Sequence, residues 1–578
     1  MKHFTIRTIS ISVATSLLVA VCTSNVSAIA SPSDNSYAIT PLLSNVMNEM
    51  EDNTTDKIPV QIQLKDIVDY AEVESKAMDS ANLSDQELEF ICSEEFASLA
   101  DSNLALMTEL ENKYETYREA RIDGICEQIS EINQPFIDKY KLNAESISRS
   151  LPNINLVYLT KDEIYEIADD SDVVTIDFVE SKEVYPCGYS MASVDSCVRS
   201  NTARSYGWDG TGVKVGVVEL GWADKTKVGS KLINVGGPTS GTDDHATFVA
   251  GEINYIVPGA DIYLRKAELT LGGVLDAAEY LMTVSKVQVI NMSVGYDSTG
   301  SYDAYSRRLD NLIRQNKVTV CVAAGNVKNS NYNVNGYGLA PNAITVGSVN
   351  HYGATTASSS TYSFSTFSRY IEATDVINKP DLCAPGETID LYDYTKSGTS
   401  MATPVVTGIV AQMIDRNVGM AETPQTLKAA VIASCYYNAG TTFVDNFSDK
   451  EGAGVVDGNY SYRVARNGRR WHFDFTPSGV SEQTYQIYAD YNYKDFRVAI
   501  AWESEIISND NKTTNYKLQI FKGSSLVGES NLNLSNSEIV IIPASTVALY
   551  GAGYYTAKIV RVGTQPTTSD RVGLAWEQ

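Results

Sequence analysis

The fold is decided by a stretch that starts polar and glycine-rich and then turns apolar, Trp208-Asp-Gly-Thr-Gly-Val-Lys-Val-Gly-Val-Val-Glu-Leu-Gly221. Its run 213–218 is the first of five short runs rich in Val and Ile. The others are 262–264, 287–290, 318–323 and 343–349. Segments of helical character, such as 274–284 and 305–313, lie between these runs. Continuous apolar strands that alternate with helices predict an α/β domain whose parallel sheet is covered by helices on both faces.

A second, smaller unit is predicted ahead of this domain. It begins with an extended run at 58–64 and continues into a charged stretch, where Ile122, Ile125, Ile129 and Ile132 recur at helical spacing. A second extended run at 154–159 leads into Thr160-Lys-Asp-Glu163, a capping-box pattern that predicts a helix start. The strand-like run 173–179 follows. Strand, helix and strand predict an α+β unit with a helical insertion.

Beyond about residue 452 the sequence changes to short alternating runs rich in Tyr, Val and Thr. These runs are 485–488, 496–502, 516–521, 539–542 and 554–562. Turn residues separate them. This pattern predicts an antiparallel β-sandwich or jelly roll at the C-terminal end.

Charge and the first residues bear on partners and location. The 578-residue chain carries 45 Lys and Arg against 71 Asp and Glu, a net charge of −26, which argues against nucleic acid or an anionic membrane surface as the partner. Lys2 and Arg7 precede an apolar stretch near 13–21, and small residues follow up to Ala28. This pattern predicts a signal peptide at 1–28, export, and no stable membrane anchor. Cys22 leaves a lipid anchor as an alternative.

Seven further cysteines follow Cys22 in the chain. An exported protein can form disulfides, and Cys187 and Cys197 are close enough in sequence to bridge. Cys321 and Cys383 lie in apolar runs, which predicts buried thiols. No spacing of Cys or His residues is typical of a zinc site, so the sequence predicts no metal ligands.

Several short motifs lie where the predicted strands end or a helix begins. They are Asp244-His-Ala-Thr-Phe-Val-Ala-Gly251, Asn291-Met-Ser-Val-Gly295, Val320-Cys-Val-Ala-Ala-Gly-Asn326, Lys379-Pro-Asp-Leu-Cys-Ala-Pro-Gly386 and Ser397-Gly-Thr-Ser-Met-Ala-Thr-Pro404. Together with the opening stretch they resemble, in family order, six motifs of subtilisin-like serine proteases. The resemblance covers roughly residues 208–434. Six ordered motifs carry far more weight than a single Gly-Thr-Ser.

The resemblance implies a nucleophile at Ser400 and a general base at His245. A hydroxyl needs a base to take its proton, and the chain has only four histidines. His3 lies in the predicted signal peptide, His472 in the predicted sandwich, and His351 in a Gly, Ser and Thr-rich stretch. The motif around His245 departs from the family at Ala246, where the family has Gly.

The acid that orients the histidine is expected at the end of the first strand of the domain, where this chain has Glu219 in place of the family's Asp. Glu keeps the negative charge and adds one methylene group. Asp224, Asp243 and Asp244 are the alternatives. If Glu219 does not serve in this role, a weak enzyme or a pseudoenzyme is expected.

Asn326 matches the position that the family uses to stabilise the oxyanion. Ser293, Val294 and Gly295 match the segment that binds an extended peptide by strand pairing. In the same segment, Tyr296 stands where the family often has a second Gly. Lys379 to Gly386, quoted above, is interpreted as structural support.

The resulting organisation is a signal peptide at 1–28, an inhibitor-like propeptide at 29–185, a catalytic domain at 186–455 and a β-sandwich at 456–578. The family resemblance implies a propeptide that assists folding, blocks the cleft as an intramolecular inhibitor and is cut between about 179 and 191. It also implies protein or peptide substrates and allows structural calcium, although no acidic cluster names its ligands. No other cofactor is expected.

These inferences predict a secreted serine endopeptidase that is made as an autoprocessed zymogen. One rival hypothesis is a catalytically weak or inactive homologue that binds peptides, which Glu219 and Ala246 favour. Another is a surface-binding or carbohydrate-binding protein that acts through the sandwich.

Overall fold

The computed structural model describes residues 38–50, 56–93, 96, 104–179, 193–326, 333–355, 361–371, 378–441, 446–477, 479–503, 514–532, 536–562 and 569–578. The predicted signal peptide lies outside these residues, as do His3, Cys22 and Cys187.

The N-terminal unit, residues 38–179, is an antiparallel sheet of four strands with helices inserted into it. Its helices are α1 (Pro41–Glu49), α2 (Tyr70–Ala81), α3 (Asp85–Ile91), α4 (Leu104–Tyr140) and α5 (Lys161–Ala168). Its strands are β1 (Ile58–Leu64), β2 (Ser146–Ile147), β3 (Asn153–Leu159) and β4 (Val173–Phe178), in the order β2-β3-β1-β4. The capping box at Thr160 is present, because Thr160 accepts from the Glu163 amide and Glu163 accepts from the Thr160 amide.

The central domain is built on a parallel sheet. Its strands are β5 (Lys214–Glu219), β6 (Leu232–Asn234), β7 (Asp261–Lys266), β8 (Val289–Met292), β9 (Thr319–Ala323), β10 (Ile344–Asn350), β11 (Ser363–Phe364) and β12 (Leu382–Pro385). The order is β11-β10-β9-β8-β5-β7-β6, with β12 also paired to β10. The described pairs are parallel except that of β10 with β11. A hairpin, β13 (Ile389–Leu391) and β14 (Tyr394–Lys396), stands apart.

Helices cover both faces of this sheet, as predicted. The helices of the domain are α6 (Val194–Cys197), α7 (Asn201–Ser205), α8 (Lys225–Val228), α9 (Asp244–Ile256), α10 (Leu271–Thr283), α11 (Ala304–Asn316), α12 (Thr399–Arg416), α13 (Pro424–Ala433) and α14 (Gly458–Arg466). Helices α9 and α12 share one hydrophobic cluster with Val215 and Val217 of β5. Helices α10 and α11 share the opposite cluster with Val218. Alternate residues of one strand therefore face opposite layers of helices.

Two packed antiparallel sheets form the C-terminal sandwich. Its elements are β15 (Arg470–Phe475), β16 (Glu482–Ala489), β17 (Phe496–Glu503), β18 (Asn515–Lys522), β19 (Ser525–Ser530), β20 (Ser537–Ile542), α15 (Ala544–Tyr550), β21 (Gly553–Val562) and β22 (Asp570–Glu577). The sheet orders are β15-β22-β17-β20 and β16-β21-β18-β19. Side chains of both sheets meet in one cluster around Trp502 and Tyr516. The predicted fold class is confirmed in all three parts.

Helix α4 holds the central domain at the amino ends of its strands. Arg118 of α4 is buried and donates to the carbonyls of Lys286 (2.7 Å) and Val287, which precede β8. Glu115 of the same helix pairs at 2.7 Å with Lys214, the first residue of β5. The N-terminal unit is therefore attached where the amino ends of the parallel strands lie, opposite their carboxyl ends.

The four-stranded sheet of the N-terminal unit packs against α10 and α11. Asp177 of β4 forms a buried ion pair with Arg307 of α11. Arg308 pairs with Asp276 at 2.7 Å and with Glu279 at 2.9 Å, and Glu279 also accepts hydrogen bonds from the 148–150 turn. The Asp177–Arg307 ion pair and the hydrogen bonds to Glu279 therefore cross this interface, whereas the Arg308 pairs lie within the central domain.

Candidate active site

The predicted catalytic side chains all lie at the carboxyl edge of the parallel sheet or at the helix ends that face it. Glu219 is the last residue of β5, His245 is in the first turn of α9, and Ser400 is in the first turn of α12. Asn326 follows β9 by three residues. Ligands of open parallel sheets bind at this edge.

Glu219 and His245 form a buried hydrogen-bonded pair. The His245 Nδ1 lies 2.9 Å from the Glu219 Oε2, and the two side chains are 6% and 1% exposed. A carboxylate can only accept, so the imidazole N–H at Nδ1 is the donor and Nε2 is left to act as the base. The extra methylene of Glu is thus accommodated at ordinary hydrogen-bond length.

Burial raises the pKa of Glu219 above its ordinary value, and the nearby Asp243 adds to the rise. The positive charge and hydrogen bond of His245 and the Leu220 amide act in the opposite direction. The Oε1 atom of Glu219 is buried and has no hydrogen-bond partner within the described part of the chain. The ionised form of this carboxylate consequently depends on His245.

The alternative acids are occupied elsewhere. Asp224 caps α8 and accepts from the Thr226 amide at 2.8 Å. Asp243 caps α9 and accepts from the Ala246 amide at 2.7 Å. Asp244 is exposed. Of the four candidates it is Glu219 that the structure places against the imidazole.

Ser400 is held at the start of α12 by a reciprocal link to Ser293. The Ser400 hydroxyl donates to the Ser293 carbonyl at 3.0 Å, and the Ser293 hydroxyl donates to the Ser400 carbonyl at 2.8 Å. Ser400 is only 2% exposed. A base can take the Ser400 proton only when the first of these hydrogen bonds is released, as often happens when substrate binds.

Asn326 is oriented by Thr399, the residue before Ser400. Its Oδ1 accepts from the Thr399 amide at 2.6 Å and from the Thr399 hydroxyl at 3.0 Å, and the same hydroxyl accepts from the Gly325 amide at 2.9 Å. The Nδ2 of Asn326 is buried and has no acceptor among the described residues. A fixed, unused N–H donor beside a nucleophile can stabilise an oxyanion.

A small pocket brings Ser400 and Asn326 together, and Glu219 and His245 are not among the described residues that line it. It is lined by Ser400, Asn326, the predicted substrate segment Ser293, Val294 and Gly295, and also by Tyr296, Ala323, Gly325, Asn335, Arg369 and Thr399. The sequence motifs include Thr399 and Gly325, but no sequence signal points to Asn335 or Arg369. These two residues reach the site from segments that no motif marks.

The other histidines and the cysteines lie away from this pocket. His351 is buried, its Nε2 contacts the Ser193 hydroxyl, and burial lowers its pKa to about 4. His472 is on β15 of the sandwich. Cys197 is a buried free thiol 3.2 Å from the Tyr362 hydroxyl, and Cys321 and Cys383 are buried free thiols as expected.

Among the described residues, no group of three or more His, Cys, Asp or Glu side chains is arranged to hold a metal ion. That part of the chain therefore offers no acidic cluster for the calcium that the family resemblance allows. A membrane-crossing helix, long and apolar enough to span the bilayer, is likewise not found in the described segments.

The model of the subtilase family matches residues 222–458. The chain carries a subtilase domain. His245, Asn326 and Ser400 lie inside the match, whereas Glu219 precedes it by three residues.

Three curated proteases are similar to this chain in sequence. The serine protease AprX of Bacillus subtilis (strain 168) is 26% identical over 305 residues, which are 44% of this chain and 66% of that protein. Subtilisin-like protease 1 of Pseudogymnoascus destructans is 30% identical, over 42% of this chain and 61% of the relative. Alkaline elastase YaB of Bacillus sp. (strain YaB) is 25% identical, over 54% of this chain and 86% of the relative. The chain spans less than two thirds of the first two of these relatives.

One solved structure is similar to part of the chain. Fervidolysin from Fervidobacterium pennivorans, described as a keratinolytic enzyme related to subtilisin, is 15% identical with a TM-score of 0.45. The similarity covers 86% of this chain and 70% of fervidolysin.

Proposed function

We propose that the protein is a serine-type endopeptidase that hydrolyses peptide bonds in proteins through an acyl-enzyme. The observation that carries this proposal is the buried Glu219–His245 hydrogen bond of 2.9 Å at the carboxyl edge of the sheet. It lies in a subtilase domain that also carries Ser400 and an unused donor on Asn326.

In the proposed reaction, the Ser400 Oγ attacks the peptide carbonyl carbon while the His245 Nε2 takes the hydroxyl proton. Glu219 stabilises the imidazolium, and the Asn326 Nδ2 donates to the oxygen that becomes negative. The C–N bond then breaks, and His245 gives its proton to the leaving amine. A water molecule attacks the acyl-enzyme by the same route and restores Ser400.

The substrate is proposed to be an extended segment of protein. The segment Ser293, Val294 and Gly295 follows β8 without a helix and lines the same pocket as Ser400. Such a backbone segment can pair with an extended peptide as an added strand. A small ester would not use these contacts.

The zymogen organisation remains part of the proposal. Residues 29–185 would be a propeptide that inhibits the domain at 186–455, and residues 456–578 would form the sandwich domain. The paired charges between β4 and α11 support a tight association of the propeptide. Cleavage is proposed between about 179 and 191, mostly outside the described residues, and secretion follows from the predicted signal peptide.

The second candidate is a weak or inactive homologue that binds peptides. It is favoured by the buried Oε1 of Glu219, which has no partner in the described segments, and by the raised pKa of this carboxyl group. A protonated Glu219 would not stabilise the imidazolium.

The test compares wild type with Ser400→Ala and with Ser230→Ala, an exposed serine of the same domain. Wild type and Ser230→Ala are expected to lose the propeptide on a gel, to cut an unfolded protein and to react with a fluorophosphonate probe. Ser400→Ala should do none of these. Absence of all three activities in wild type at every pH would favour the peptide-binding homologue.

A further inference from the structure

The pocket beside Ser400 is very small. Its free volume is about 10 Å³, which is room for about one water molecule. Ser400 and Asn326 both line it, so an attacked carbonyl must sit at its mouth. The side chain nearest to that carbonyl belongs to the residue on the acyl side of the scissile bond. This side chain must therefore enter the pocket.

Asn335 fills one side of the pocket and cannot swing away. It is 3% exposed, its Nδ2 donates to the Ala323 carbonyl, and its Oδ1 accepts from the Tyr337 amide at 2.9 Å. A Cβ added to Gly295 would lie 2.6 Å from the Asn335 Cγ, so the two segments are already in contact. Hydrogen bonds and packing together fix the position of this side chain.

Tyr296 fixes the wall behind Gly295. Its ring is fully buried and its hydroxyl donates to Asp303. A Cβ added to Gly336 would lie 1.8 Å from the ring, and the Tyr337 ring packs against it at 4.8 Å between centroids. The wall is therefore closed by an aromatic cluster.

Arg369 adds a positive charge to the same pocket. The side chain is 3% exposed, and its Nη1 pairs with Asp297 at 2.7 Å. A Cβ added to Gly325 would lie 2.8 Å from the Arg369 Cδ, so this side chain also lies directly against the pocket wall. A cationic substrate side chain would meet a like charge here.

We propose that Asn335 is a specificity-determining residue, and that it restricts the residue on the acyl side of the scissile bond to Gly, Ala or Ser. The inference rests on the proposed function, because it concerns the substrate of the same site. A methyl or hydroxymethyl group fits the free volume, whereas an aromatic ring would have to displace hydrogen-bonded Asn335. A substrate whose side chain is too large for such a pocket typically has a kcat/KM about 10- to 100-fold lower than one whose side chain fits.

The experiment uses the matured protein and peptide p-nitroanilides that differ only in the residue before the anilide, which is Ala, Phe or Arg. Wild type is expected to show kcat/KM for the Ala peptide at least about 10-fold above the other two. In Asn335→Gly the ratio of Phe to Ala should rise at least about 10-fold. Asn201→Ala, a change at an exposed asparagine of the same domain, should retain the wild-type ratio.

Asn335→Ser keeps an oxygen near the Tyr337 amide, so it replaces Asn335→Gly if circular dichroism shows that the latter is unfolded. Wild type that prefers the Phe or Arg peptide overturns the inference, and so does an unchanged Phe to Ala ratio in the smaller variant. If wild type cuts no peptide and does not react with a fluorophosphonate, the proposed function itself has failed.

Discussion

At the scale of single residues, the hydrogen bond between Glu219 and His245 depends on the length of the acid. The carboxylate reaches Nδ1 at 2.9 Å from the last position of β5. An Asp at this position would be shorter by one C–C bond, about 1.5 Å. The backbone of this chain is therefore fitted to Glu, although the family has Asp.

Glu219→Asp, which restores the family residue, is accordingly expected to lower kcat/KM by about 100-fold, the usual cost of a misplacement of about 1 Å. Steady-state kinetics on a protein substrate measure the effect. Asp224→Asn is the matched control and should stay close to wild type, because Asp224 caps α8 and accepts from the Ser240 hydroxyl, and an Asn oxygen can accept the same hydrogen bonds. Activity of Glu219→Asp equal to wild type would show that another acid orients His245.

Asn326 and Glu219 could be predicted because their motifs resemble those of the family and lie where predicted strands end, and strand ends meet at one edge of a parallel sheet. The presence of Asn335 and Arg369 in the pocket could not be predicted from the sequence. Their positions in the pocket depend on side-chain packing between distant segments, which no local pattern records.

Glu252 of α9 is a buried carboxyl group that the proposed reaction does not use. Neither of its oxygens has a hydrogen-bond partner among the described residues, and burial raises its pKa well above the ordinary value. The folded state thus keeps a proton that the unfolded state releases above about pH 4.3. The stability contributed by this group is fully present below that pH and is lost as the pH rises toward the folded-state pKa.

Glu252→Gln should therefore gain stability relative to wild type as the pH rises above about 4.3, by up to about 1.4 kcal/mol per pH unit until the folded-state pKa of Glu252 is reached. Urea unfolding of both proteins in the Ser400→Ala background measures this difference without self-digestion. Glu166→Gln, the same change at an exposed position, is the control. A pH-independent difference for Glu252→Gln would contradict the prediction.

At the scale of elements, helix α4 contributes buried polar contacts to the amino edge of the sheet. Arg118→Ala is expected to lower the free energy of unfolding by about 2 to 3 kcal/mol, because the carbonyls of Lys286 and Val287 lose their charged donor. Chemical denaturation in the Ser400→Ala background measures it. Lys76→Ala, an exposed change in the same unit, should stay within about 0.5 kcal/mol of wild type.

The sequence predicts strands well where they are continuous apolar runs, and poorly where an element is too short to show a pattern. The five Val and Ile runs all became strands of the sheet, and the capping box at Thr160 marked the start of α5. Strand β6 has only three residues, too few for a pattern. Helix α4 continues through Pro135, where proline normally indicates a break.

At the scale of the whole molecule, the sandwich shares a core with the subtilase domain. Ala499, Ala501 and Ala575 of the sandwich belong to the same hydrophobic cluster as α13. Strand β22 approaches α13 so closely that a Cβ on Gly573 would lie 2.5 Å from the Thr426 Cα. The sandwich therefore covers a face of the domain that would otherwise be exposed and apolar.

Gly573→Ala should force these backbones apart and cost about 1 to 3 kcal/mol. A lower unfolding temperature in the Ser400→Ala background is the expected result. Gly272→Ala is the matched control, since an added Cβ there meets no atom within 4 Å. Equal unfolding temperatures for the two variants would mean that the sandwich is only loosely attached.

The contacts of α4 also set an order of events during protein synthesis. The ribosome makes the N-terminal unit first, so this helix is complete before β5 and β8 have been translated. Parallel strands pair over long stretches of chain, which makes their assembly slow. Arg118 and Glu115 give the newly made strands a place to dock, at the end away from Ser400. We expect that a molecule without residues 38–179 refolds more slowly than the full chain, because its strands lack this docking site.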